Sequence, residues 1–272
     1  MTTAGADGTK VQEEDGSVSL QRNDPSAIDL WIVDLDRWSD VGTGAGPVSA
    51  PDRAEAARIR DPVTARRLLS RRSATRHVLS NVLGLPADEV MLVRSCPRCG
   101  STEHGRPTVP GTSLGFSVAA SGAIAIVAVI RPGAHRSYGE SHDESRGEIG
   151  IGVDVESIVP RAVLPLAALT RVEQAALHAL PSAERVVGFL QIWTAKEAVL
   201  KAGGRTIADD PSILEAGELL ASDRGNVEGF GIQWCVQRVT VPAPRAIPVI
   251  VSVADRAGTS VHVHVGVGDT AE

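Results

Sequence analysis

The alternation of apolar and polar positions divides the chain into strand-like and helix-like stretches in a regular order. Ile28–Leu35 (IDLWIVDL) alternates well enough to open the fold as a strand, and Val90–Arg94 reads as a second, short one. Between them, Gly42–Pro51 is a Gly/Pro/Ser loop, and Pro62–Leu83 is a long arginine-rich helix stopped by Gly84 and Pro86. Its inner stripe is Val63, Leu68, Leu69, Ala74, Val78, Leu79 and Val82. Val109–Ile130 carries no charge, yet Pro110, Gly111, Gly115 and Gly122 and its β-branched content predict two buried strands rather than a membrane span. They are Leu114–Ala119 and Ala123–Ile130, turning at Ser121-Gly122.

The second half starts afresh. Ile149, Ile151, Val153 and Val155 alternate with Gly150, Gly152, Asp154 and Glu156, the pattern of a strand with opposite faces. Helices follow near Leu169–Leu180 and Ala183–Ala202, then strands near Gly231–Val239, Ile247–Val253 and Val261–Val267. Val33-Asp34-Leu35-Asp36 echoes Val153-Asp154-Val155-Glu156, and each half runs strand, helix, hairpin. The reading is an α+β fold of two similar halves related by a pseudo-twofold axis, each a small mostly antiparallel sheet packed with helices, with the working groove between them. Residues 1–27 are a polar, disordered tail, 28–131 the first half, 132–147 a Gly/Ser/His-rich linker loop, 148–267 the second half and 268–272 a short tail.

Composition narrows the partners. Aromatic residues are only 3% of the chain, so Val, Leu, Ile and Ala must build the core. A net charge of −6 argues against nucleic acid as the general partner, although arginine is dense between Arg53 and Arg76. Three cysteines give no disulfide framework and the N-terminal stretch has no apolar signal segment, which points to the cytoplasm. Cys96-Pro97-Arg98-Cys99 resembles half of a zinc knuckle, with His104 as a third ligand, but no second Cys-x-x-Cys follows; a tight turn with free thiols is the simpler reading. His135 and His142 in the linker and His262 and His264 on the last strand read as solvated positions.

Two stretches carry the chemistry. Asp154 and Glu156 project together from one strand face, above a floor of glycines that leaves room for something bulky. Trp193, Glu197 and Lys201 fall at four-residue intervals along one helix face. Asp154, Glu156 and Glu197 converging would suit a hard divalent cation such as Mg²⁺, which takes oxygen ligands and tolerates phosphate oxygens in its shell. Of 27 basic side chains only Lys10, Lys196 and Lys201 are lysines, and two of the three stand in this helix, where a compact ammonium can neutralise phosphate or move a proton.

Gly-Val-Asp-Val-Glu at 152–156, followed by Trp-x-x-Lys-Glu-Ala-x-x-Lys at 193–201, resembles the paired signature of the 4′-phosphopantetheinyl transferases. The length is similar to that of the monomeric, two-lobed Sfp-like branch serving polyketide and nonribosomal peptide synthases. The resemblance implies transfer of the phosphopantetheine arm of coenzyme A to a serine of an acyl or peptidyl carrier protein, with release of 3′,5′-ADP. By motif, Asp154, Glu156 and Glu197 would hold Mg²⁺ (or Mn²⁺). Glu197 would also be the base for the serine hydroxyl, and Lys201 would offset pyrophosphate charge. Lys196, Ser121, the Arg106-Pro107 pair and Arg67 or its neighbour Arg66 would contact coenzyme A, and Glu173 matches a supporting helix acid. The family histidine that meets the coenzyme A phosphates is replaced here by Ala120. Losing one charge-assisted hydrogen bond costs roughly 1.5–3 kcal/mol, unless an arginine of the 66–72 cluster compensates. Two other readings use the same residues: a degenerate relative that binds carrier or coenzyme A without transfer, and a Mg²⁺-dependent phosphodiesterase.

Overall fold

The computed structural model describes residues 27–39, 47–95, 99–102, 105–131, 150–161, 163–206, 209–242 and 248–265. Residues 1–26 of the expected N-terminal tail, the linker, the C-terminal tail, Cys96, His104, His135, His142 and Ile149 lie outside them. Ala27, assigned from sequence to the tail, is buried at the head of the first strand.

The first half comprises β1 (Ile28–Asp34), α1 (Ala50–Ala57), α2 (Pro62–Leu83), β2 (Val93–Ser95), β3 (Arg106–Thr108), β4 (Gly115–Ser121) and β5 (Ile124–Ile130). The second comprises β6 (Ile151–Ser157), α3 (Arg171–Ala179), α4 (Arg185–Ala202), β7 (Arg224–Gly229), β8 (Ile232–Arg238), β9 (Val249–Asp255) and β10 (Val261–Val265). Two four-stranded sheets run in the orders β10-β1-β5-β4 and β6-β9-β8-β7, beside a β2-β3 ribbon. The internal repeat is visible in the pairing: β1-β5-β4 and β6-β9-β8 are the same arrangement, an opening strand set antiparallel against the final strand of a later hairpin. The last strand crosses over. β10 lies parallel to β1, with Ile28 opposite Val261, so it completes the first half's sheet and not the second's.

Strand alternation decides the layers. Ile28, Leu30 and Ile32 of β1 and Ile124, Ile126, Ala128 and Ile130 of β5 face Ile151, Val153 and Val155 of β6 and Val251 and Val253 of β9 in one shared core. The outer face of the first sheet, with Trp31, Phe116, Val127 and Val129, receives Val78 and Leu79 of α2. The outer face of the second, with Trp234, Val236 and Ala254, receives Ala195, Ala198, Val199 and Ala202 of α4. The stack is therefore α2, sheet, sheet, α4. Where β4 and β6 meet, serine hydroxyls replace a backbone ladder: the Val153 N–H donates to Ser117 Oγ at 3.1 Å and the Ser157 N–H to Ser121 Oγ at 3.0 Å.

Local signals explain the helices. α2 starts at an Asp61 cap with Pro62 at its first position and ends at Gly84 in the left-handed region (φ 68°), as its sequence predicts. Val63, assigned to its inner stripe, lies in the first turn and is 49% exposed. α4 is apolar almost all round and correspondingly buried on most sides. α1 falls partly in the stretch read as a loop; a capping box formed by Ser49 and Asp52 starts it. β7 was not expected either, since Gly225, Asn226 and Gly229 are poor strand formers.

Candidate functional site

The glycine floor beneath the strand carboxylates has a different purpose from the one its sequence suggests. A methyl group on Gly152 would overlap the Ala198 carbonyl oxygen and stand 2.6 Å from Ala202 N, and one on Gly150 would come within 3.0 Å of the Trp234 ring. The room above the strand is filled by α4 itself. Close approach of the helix backbone to β6 lets residues 197 and 201 reach the strand's acids.

The result is a coupled set of charges. Lys201 donates to Asp154 Oδ1 at 2.6 Å and to the Val153 carbonyl at 3.2 Å. Asp154 is 7% exposed. Its other oxygen, Oδ2, and Oε1 of Glu197 are buried and have no hydrogen-bond partner among the described residues. Burial pushes the Asp154 carboxyl up to about 6, with the Glu156 charge adding to it and Lys201 opposing. Burial likewise pushes Glu197 up to about 7, helped by the charges of Asp154 and Glu156 and opposed by Lys201. Glu156 points elsewhere: Arg161 donates to its Oε2 at 2.8 Å and Ser121 Oγ at 3.3 Å. Among the described residues no group of three His, Cys, Asp or Glu side chains is arranged to hold a metal ion.

Two carboxylate oxygens left unpartnered in a buried site are costly, and a divalent cation is the partner that satisfies both without protonating either. The donor set therefore fits such an ion, which Asp154 and Glu197 would hold, while Glu156, next along β6, is engaged by Arg161.

A cavity of about 990 Å³ opens between the halves beside this set. Glu197 and Lys201 of the second half line it together with Arg71, Arg72, Arg76 and Arg94 of the first. Asp52 of α1 lies 2.8 Å from Arg76 and 3.2 Å from Arg72, and Glu55 lies 3.1 Å from Arg72. Among the described residues Arg71 has no acid at such a distance, although the Glu55 charge is near enough to oppose the effect of burial on it. Burial, with Arg72 and Arg94 nearby, pushes its guanidinium below the usual range, and burial with the Arg72 charge does the same to Arg94. A cluster of this kind attracts anionic oxygen.

The other residues singled out from sequence are distributed as follows. Arg67 is engaged by Asp36 through two bonds of 2.7 and 2.8 Å, and Arg66 is exposed; neither lines the cavity, because the cavity-facing side of α2 starts one turn later, at Arg71. Arg106 and Pro107 do line it. The Arg106 guanidinium donates to the carbonyls of Ile151 (3.0 Å), Phe116 (3.3 Å) and Ala202 (3.5 Å), tying β4, β6 and the end of α4 together. Lys196 is fully buried on another side of α4, paired with Glu173 and donating to the Ala168 carbonyl at 3.0 Å, so it does not face the cavity. Glu173 in turn accepts from Ala216 N–H at 2.7 Å and caps α3 through Thr170. Ser121 serves the β4–β6 junction, and Ala120 is exposed. Of the expected site, Asp154, Glu197, Lys201, Arg106 and Pro107 converge. Arg71, Arg72, Arg76 and Arg94 were not assigned roles individually, since the register of an arginine-rich helix against a cleft is set by tertiary packing.

Residues 150–245 match the model of a family described as the 4′-phosphopantetheinyl transferase superfamily. This segment runs from β6 through α4 to β8 and contains both carboxylates and Lys201. No curated protein matches the chain significantly.

Proposed function

We propose that the protein moves the 4′-phosphopantetheine arm of coenzyme A onto a serine of an acyl or peptidyl carrier protein, releasing 3′,5′-ADP, with Mg²⁺ or Mn²⁺ as the cation and carriers of polyketide or nonribosomal peptide synthases as partners. The observation that carries this reading is the cavity lining: Glu197 and Lys201 stand there beside buried Asp154, and among the described residues Arg71 and Arg94, which share the lining, have no acid partner in hydrogen-bonding reach. A nucleotide pyrophosphate is an extended polyanion, and such a cleft offers it several cationic side chains with a buried acid pair beside them.

Each residue then has a task. Arg71, Arg72 and Arg94 bind phosphate oxygens through the charge-assisted bonds that guanidinium groups make well. Arg106 fixes the relative position of the halves through carbonyl contacts to Phe116, Ile151 and Ala202, so the arginines of the first half and the acids of the second keep their places. Glu197, made more basic by burial, accepts the proton of the incoming serine hydroxyl. Lys201 stabilises charge on the departing phosphate. A bound divalent cation supplies charge neutralisation at the pyrophosphate. Phosphoryl transfer depends mainly on positioning and electrostatics, which suits a site built from a rigid helix against a rigid strand.

The test is direct. The protein is incubated with coenzyme A, Mg²⁺ and an apo carrier protein, and the carrier is weighed. A gain of the phosphopantetheine mass supports transfer. No gain, with coenzyme A bound intact, rejects it in favour of a binding role, and release of 3′,5′-ADP without carrier rejects it in favour of hydrolysis.

A further inference from the structure

The ammonium of Lys201 sits on a carboxylate that the reading above assigns to a divalent cation. Its bonds to Asp154 Oδ1 and the Val153 carbonyl fix it against β6. The same side chain is 29% exposed and lines the cavity, one helical turn beyond Glu197. The other lysine of the helix has no such freedom, being sealed at 0% exposure between Glu173 and the Ala168 carbonyl.

We propose that Lys201 is the resident counter-ion of the metal-binding acids: its ammonium and the divalent cation compete for Asp154, and arrival of the cation hands Lys201 over to the phosphates of the substrate. The inference rests on the assignment of Asp154 and Glu197 as cation ligands. Two positive charges at one buried carboxylate repel strongly, because the surroundings screen them little. Asp154 and Glu197 without any positive partner would repel each other for the same reason. The lysine therefore keeps the acids together while the cation is absent and weakens the cation's hold when it arrives. Released, its flexible stem lets the ammonium reach into the cavity, where substrate phosphate is its natural acceptor. Metal binding and phosphate binding are thereby linked through one side chain that changes partner.

Two measurements decide this, both on the full chain without coenzyme A. In the first, Mn²⁺ is titrated into wild-type protein and Lys201→Met, with the free ion followed by electron paramagnetic resonance. Removing the competing charge is expected to tighten Mn²⁺ binding roughly tenfold, the factor carried by one charge-assisted hydrogen bond at its weaker limit. Equal or weaker binding by Lys201→Met overturns the competition and leaves the cation site standing. Failure of both proteins to bind Mn²⁺ at millimolar concentration overturns the cation site and the competition with it. In the second, wild-type protein is reductively methylated with and without Mn²⁺, and the lysines are quantified by peptide mass spectrometry. Lys201 is expected to react severalfold faster with Mn²⁺ while buried Lys196 stays unreactive. An unchanged Lys201 rate overturns the proposal, and this measurement stands even where Lys201→Met does not fold.

Discussion

The α carbon of Gly152 lies so close to the Ala198 carbonyl that a side chain of any size would collide with the backbone of α4. Gly152→Ala forces β6 and α4 apart, and overpacking a rigid contact of this kind is expected to destabilise the protein by about 3 kcal/mol. Urea unfolding measures it as a lower midpoint. Transferase activity of the folded fraction should fall too, because the same displacement separates Glu197 and Lys201 from Asp154.

Glu197→Gln keeps the shape of the side chain and removes both its charge and its basicity. Carrier labelling is expected to drop by at least roughly 100-fold, the usual contribution of a positioned base. In the presence of EDTA the melting temperature should stay level or rise, since an uncompensated buried carboxylate has been replaced by a neutral amide. A variant that loses activity and stability together would show that the residue acts through packing.

Stability of the metal-free protein should depend on pH in a defined direction. The carboxyls of Asp154 and Glu197 move from 3.8 and 4.5 in the unfolded chain to about 6 and about 7 in the folded one. The folded state therefore holds protons that the unfolded state releases. The stabilisation is complete below the unfolded values and is lost as pH rises through the folded ones. In EDTA the melting temperature is expected to fall between pH 5 and pH 8 more steeply than in the double variant Asp154→Asn, Glu197→Gln. Mg²⁺ should raise it more at pH 8 than at pH 5.

Lys196 and Glu173 form a fully buried ion pair. Lys196→Ala leaves Glu173 charged and without its cation, a loss of about 3–5 kcal/mol for a pair of this type. Thermal unfolding is the readout. Replacing both residues with apolar ones of similar size should recover most of that loss. A lysine that served chiefly to bind phosphate would instead raise the KM for coenzyme A with little change in melting temperature.

The arginines of α2 give a contrast within one helix. Arg71→Ala is expected to raise the KM for coenzyme A at least tenfold, about the value of one charge-assisted hydrogen bond. Arg66→Ala, five residues earlier and exposed, should leave it unchanged. Initial-rate kinetics with varied coenzyme A separates the two.

The architecture and the acid pair were legible in the sequence because both rest on local patterns. The alternation at 151–155 names the buried face of β6, and Pro62, Gly84 and the apolar stripe bound α2 with no help from the rest of the fold. The roles of Lys196, Glu156, Arg66 and Arg67 were not legible. Each depends on which way a charged side chain turns once its element is packed, and for Lys196, Glu156 and Arg67 a partner outside that element (Glu173, Arg161, Asp36) decides it. The glycines at 150 and 152 were read as space for a ligand when they are space for a helix. A strand sequence records that its surface must be bare, and says nothing of what will cover it. The capping box at Ser49 and Asp52 was a usable signal for α1, hidden among the prolines around it.

The parallel pairing of β10 with β1 sets an order on biosynthesis. Ile28 finds Val261 as its neighbour only after the chain has been made through both halves, so the sheet begun first is closed after the second. A nascent chain arrested before β10 would expose the free edge of β1, with unpaired amide groups open to other strands. The duplicated halves are consequently not detachable modules: cutting between them leaves the earlier one without its closing strand and the later one with a strand that has nowhere to dock.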